Sequence, residues 1–119
     1  MDRILLLVAA VFLIPQQLSA QPKKTLDCST EPIVKTFGGS NWLVRSCSDI
    51  GLLLLAEPGS PAFPFYFLVY PSEKEKGRFM IEGEGMGDKG ATAAALADIR
   101  RVSEADVAAL IAEVKRQQK

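Results

Sequence analysis

The chain has 119 residues, with 14 basic and 14 acidic side chains and no histidine. A formal net charge of zero supplies no strong field to draw nucleic acid or an anionic membrane. The missing histidine excludes Ser-His-Asp and Cys-His catalysis and histidine-ligated zinc, leaving Ser-Lys or carboxylate-pair chemistry as the routes open to an enzyme.

Ile4 to Ile14 is an unbroken apolar run of eleven residues. A membrane-spanning helix needs about 20. A secretory signal peptide needs a run of this shorter length behind a positive start, here the amino terminus and Arg3, weakened by Asp2. Pro15 ends the run, and Leu18-Ser19-Ala20 offers a small residue at a cleavage position. Residues 1–20 are therefore expected to be a cleaved signal peptide rather than an uncleaved anchor. Residues 21–119 are expected to form one small domain, periplasmic or secreted, with no stable membrane span after cleavage. Cys28 follows Thr25-Leu26-Asp27 rather than small residues, which argues against a lipid anchor.

Cys28 and Cys47 both lie beyond the leader. An even pair in an exported chain reads as a disulfide. The spacing is far from Cys-x-x-Cys, so a structural staple is expected, not a redox pair. It should tie the segment before the first strand to the end of the second.

In chain order, Ile33 to Phe37 alternates and predicts a strand, Gly38-Gly39-Ser40-Asn41 a turn, and Trp42 to Cys47 a second strand. The second strand carries Trp42, Val44 and Ser46 on one face and Leu43, Arg45 and Cys47 on the other. Asp49-Ile50-Gly51 is a short connection to Leu52–Ala56, which is apolar on both faces. After a Pro/Gly loop comes Phe63 to Pro71, which holds five of the eight aromatic residues beyond the leader. Phe65, Phe67 and Val69 make one face of this strand and Tyr66, Leu68 and Tyr70 the other. A charged turn, Ser72 to Gly77, leads to a fifth strand over Arg78 to Glu82.

The period then changes. Ala95, Ile99 and Val102 recur at helical spacing within Ala91 to Val102. Ser103 is a good N-cap for a second helix, in which Val107, Leu110, Ile111 and Val114 form the cleanest helical stripe of the chain. Strands followed by helices predict an α+β domain: an antiparallel meander of about five strands, free to curl, with two C-terminal helices packed on one face.

Two helices cover one face of such a sheet, yet two of its strands are apolar on both. Either the sheet curls and covers itself, or the second face is a homodimer or partner interface or a ligand groove. Tyr66, Leu68 and Tyr70 are candidate binding residues there, since tyrosine is amphipathic and enriched at interfaces. Phe37 and Trp42 flank the Gly-Gly turn and are candidates for a binding tip, weighed against the favoured alternative that they form a cross-strand pair facing the core.

Gly85 to Gly90 matches G-x-G-x-x-G, but no strand follows to complete a βαβ unit and Glu84 and Asp88 would repel phosphate. Glu82, Glu84 and Asp88 do not match an EF-hand loop. Gly83 to Gly90 is read as a flexible connection, and no cofactor or metal is expected. The sequence thus points to an exported, disulfide-stapled binding or interaction domain without catalysis, with a homodimer or an envelope or extracellular protein as partner. The alternative is a carrier of a small apolar ligand in a groove between sheet and helices. A hydrolase using Glu82 or Asp88 comes third.

Overall fold

A computed structural model of the chain describes residues 26–118. The signal peptide, its cleavage position and the loose segment expected up to Thr25 lie outside the described residues. Five strands, β1 (Ile33–Phe37), β2 (Ser40–Cys47), β3 (Gly51–Ala56), β4 (Phe65–Pro71) and β5 (Phe79–Gly85), precede two helices, α1 (Lys89–Ile99) and α2 (Glu104–Arg116). The strands form one sheet in the order β1-β2-β3-β4-β5 with every neighbour antiparallel. This is the α+β meander that short connections and late helices imply.

The first hairpin is tighter than the four-residue turn expected. Ser40 and Asn41 pair with Phe37 and Thr36, so the turn is Gly38-Gly39 alone. Both glycines have positive φ, as a two-residue turn that follows the twist of its strands requires. At the next connection Ser48 and Asp49 take positive φ instead. Ser48 is held there by Asp27, whose N–H donates to Ser48 Oγ at 2.8 Å and whose carbonyl accepts from Ser48 N at 2.9 Å. The Cys28–Cys47 disulfide forms beside these bonds and joins the lead-in segment to the end of β2.

Gly83 to Gly90 is not the flexible connection expected. β5 runs through Gly85 and pairs along the whole of β4. The physical reason is at Gly83, where a Cβ would lie 2.7 Å from the Phe67 ring and 2.9 Å from the Phe65 ring. The missing side chain lets those two rings, 5.0 Å apart, lie against β5. Asp88 then caps α1, accepting from Ala91 N at 2.9 Å. The helix therefore begins at Lys89, earlier than the apolar spacing indicates, and ends at Ile99. Val102 belongs to a tight final turn, donating to the Ile99 carbonyl.

α2 opens with a reciprocal capping box between Ser103 and Asp106. Its stripe faces the sheet, with Val107 and Val114 buried and Leu110 and Ile111 partly so. Both helices lie on the face formed by Trp42, Val44, Leu54, Phe67 and Val69, where the core sits. A Lys35–Glu113 ion pair at 3.0 Å joins β1 to α2. Gln118 exchanges two hydrogen bonds with the backbone of Glu31, tying the end of the described chain to its start.

α1 lies over β1, and α2 over β2 and β3. Two surfaces are left. One is the helix-side face of β5 with the Phe65 end of β4; the other is the opposite face of the sheet apart from the buried Cys47 corner of β2.

Candidate functional site

The antiparallel register arranges the opposite face in rows. One row crosses all five strands as Val34, Leu43, Leu55, Tyr66 and Glu84. The next contains Arg45, Leu53, Leu68 and Glu82, and Tyr70 and Met80 pair in the row beyond. Val34 is 52% exposed, Met80 46% and Tyr66 36%, while Leu43, Leu53, Leu55 and Leu68 are partly exposed. Curling does not close this face, since the sheet is open with β1 and β5 as edges, but the lead-in segment covers its β2 corner, where Cys47 is fully buried and bridged to Cys28 and Arg45 donates to Thr30. The face is an apolar field with carboxylates along the β5 edge and one guanidinium on β2.

Each carboxylate holds a tyrosine. Tyr66 OH donates to Glu84 Oε1 at 3.0 Å, and Tyr70 OH donates to Glu82 Oε2. These hydrogen bonds hold both phenols above their ordinary pKa, with the neighbouring negative charge and partial burial acting in the same direction. Arg45 donates to the Thr30 carbonyl and has no carboxylate within ion-pair distance among the described residues. At one corner, Leu43, Leu55, Tyr66, Phe63 and Met86 enclose an apolar hollow of about 490 Å³.

Tyr66, Leu68 and Tyr70 thus stand together on the open face, as their alternation along β4 implies. Phe37 and Trp42 do not form an exposed tip. Trp42 is fully buried, 5.3 Å from the Phe67 ring, and Phe37 is partly buried against the same core. They are not directly opposed either, since Trp42 pairs with Lys35 and Phe37 with Ser40. The turn between them is seated under α1. Gly38 N donates to Asp98 Oδ2 at 2.6 Å, and a Cβ on Gly38 would come within 2.3 Å of Ala95 N.

On the helix side, β4 and β5 and the two helices border a groove of about 810 Å³. Phe65, Phe79, Ile81, Leu96 and Val102 supply apolar walls, with Arg78, Arg100 and Glu104 at the rim. This groove is not evident in the sequence, because it depends on how far across the sheet the helices reach. The tyrosine–carboxylate pairs could have been found by setting β4 and β5 in antiparallel register across the charged turn.

Among the described residues, no group of three His, Cys, Asp or Glu side chains is placed to hold a metal ion. Glu82 and Glu84 face the open side with their tyrosines, while Asp88 is engaged at the start of α1. Among the described residues, no helix is long and apolar enough to cross a membrane. No family model, curated protein or solved structure matches the chain.

Proposed function

We propose that this chain is an exported, disulfide-stapled interaction domain that docks through the open face of its sheet and carries out no reaction of its own. The observation that carries this reading is the uncovered row from Val34 to Tyr66, an apolar surface crossing several strands of a sheet whose other face is the core. Such a surface is what a protein partner covers. The partner proposed is a second copy of the chain. The three rows hold five, four and two open positions, each about 4.8 by 6.8 Å, or roughly 700 Å² over two copies. That is the size of a weak contact, so association should depend on concentration. The leader-like start and the Cys28–Cys47 bridge support a periplasmic or secreted location.

The test is to express the gene with its own leader in a diderm bacterium, fractionate the cells and weigh the product. The expected product is extracytoplasmic, begins at Gln21 and has its cysteines joined. An unprocessed cytoplasmic chain with free thiols would overturn export. Footprinting of Tyr66 and Met80 should show protection that grows with protein concentration. Reactivity independent of concentration, both in pure protein and in envelope extract, would overturn docking.

A second reading, a carrier of a small apolar ligand, rests on the 810 Å³ groove between sheet and helices. Tyr66, Leu68 and Tyr70 are not part of that groove. Mass spectrometry of an organic extract of the processed protein tests it, with a stoichiometric small molecule as the expected result.

A further inference from the structure

We infer that two copies pair face to face about a two-fold axis that runs along the strands between β3 and β4, so that Arg45 of each copy meets Glu82 of the other. This deepens the reading of the open face as a docking surface and rests on it. A two-fold contact must be self-complementary, and only a few axes in the plane of the interface keep the rows of the sheet opposed. An axis across the strands sets β5 on β5 and β2 on β2. Carboxylate then faces carboxylate and Arg45 faces Arg45, which is repulsive. An axis along β3 sets β5 over β1 and β2 over β4, which places Glu84 against Val34 and Arg45 against Leu68, so that no charge meets its opposite.

The axis between β3 and β4 opposes no like charges and brings one pair of opposite charges together, while Leu43 faces Glu84, which keeps its hydrogen bond from Tyr66. It sets β2 over β5 and β3 over β4. In the row that holds the guanidinium, Arg45 faces Glu82 and Leu53 faces Leu68. In the adjacent row Leu55 faces Tyr66. Each contact occurs twice by symmetry. Aligned sheets cross at about 30°, a displacement that long Arg and Glu side chains can span. Glu82 already accepts from Tyr70, and a carboxylate has lone pairs left for Arg45. The pairing gives the guanidinium on the open face a carboxylate and covers Leu53, Leu55, Tyr66 and Leu68 with one another, leaving Val34 at the rim.

The experiment is light scattering on the processed protein over a range of concentrations, with circular dichroism to confirm the fold of each variant. The wild type should shift from one to two chain masses as concentration rises. Arg45→Glu and Glu82→Arg alone should each weaken the dimer at least about tenfold, since like charges then face each other. The double variant should recover most of the wild-type association, because the pair is reversed and not removed. A dimer that ignores both charge variants but is broken by Leu68→Glu would overturn this axis and keep the face. A double variant as weak as the singles would overturn the axis in the same way. A monomer at every concentration whose face binds an apolar dye, with the dye lost in Leu68→Glu, would overturn self-pairing and leave the face to another protein. A dimer indifferent to all three substitutions, or a monomer that binds no dye, would overturn the docking face itself.

Discussion

At the scale of single residues, the open face is defined by what its side chains hold. The protein has two tyrosines, and both are on that face, each donating to a glutamate of β5. An ultraviolet absorbance titration therefore reads these two sites alone. Both phenols should ionise above the ordinary value of about 10, chiefly because deprotonation loses the hydrogen bond to the carboxylate. Glu84→Gln should bring Tyr66 down, and Glu82→Gln should do the same for Tyr70. The sign of the linkage follows from the direction. A raised folded-state pKa means stability that is present below the ordinary tyrosine range and lost as pH rises through the shifted values. Two phenols titrating at the ordinary value would mean the bonds do not persist in solution. Trp42 and Phe37 illustrate the opposite case. As an aromatic pair flanking Gly-Gly they fit a tip, but a pair facing the core is the favoured reading of such a pattern. The choice is made by α1, which lies against Gly38 and closes the site from outside.

Among the elements, α2 is the one most completely specified by its own sequence. Ser103, the acidic first turn, the stripe from Val107 to Val114 and the basic last turn all agree on its ends and its buried face. Ser103→Ala should cost about 1 kcal/mol by chemical denaturation, the usual loss for an N-cap hydroxyl. It should also remove the lesser of the two contacts that hold the Asp106 carboxyl below its ordinary pKa, the Ser103 side chain, while the larger, the Ser103 backbone N–H, stays in place. A depressed carboxyl stabilises above its unfolded pKa, and that contribution fades as pH falls through the folded value. The variant should therefore unfold less steeply in acid. An unchanged midpoint and acid profile would show the cap to be idle. β5 is the least legible element. Its glycines read as a loop because local propensity disfavours glycine in strands. The pairing with β4 wins because Phe65 and Phe67 need the space a side chain at Gly83 would fill.

For the whole molecule, the bridge and the terminal contacts act together. Cys28–Cys47 closes a loop of 19 residues in sequence separation. Replacing both cysteines with serine should lower stability by about 3 kcal/mol in the chain-entropy model. The loss would concentrate at the lead-in segment, where Asp27 and Thr30 bond to the end of β2. Thermal unfolding under oxidising and reducing conditions measures it, and equal midpoints would show the staple to be redundant. Loosening that corner should also disturb Arg45, which donates to Thr30. The bridge therefore supports one end of the proposed interface as well as the fold.

The sequence by itself determined the class of fold, the order of its elements, the bonded cysteines and the alternation that places Tyr66, Leu68 and Tyr70 on one side of β4. These are short-range properties, set by periodicity, turn chemistry and caps, and they are readable without knowing what lies opposite. Only the tertiary structure decided that α1 covers the Gly38 turn, that the helices leave a groove along β5, and that Arg45 shares a face with Glu82 and Glu84. Those features depend on crossing angles, on the reach of each helix across the sheet and on register summed over five strands. Such distances between remote parts of the chain are settled by packing, and packing is not written in any local pattern.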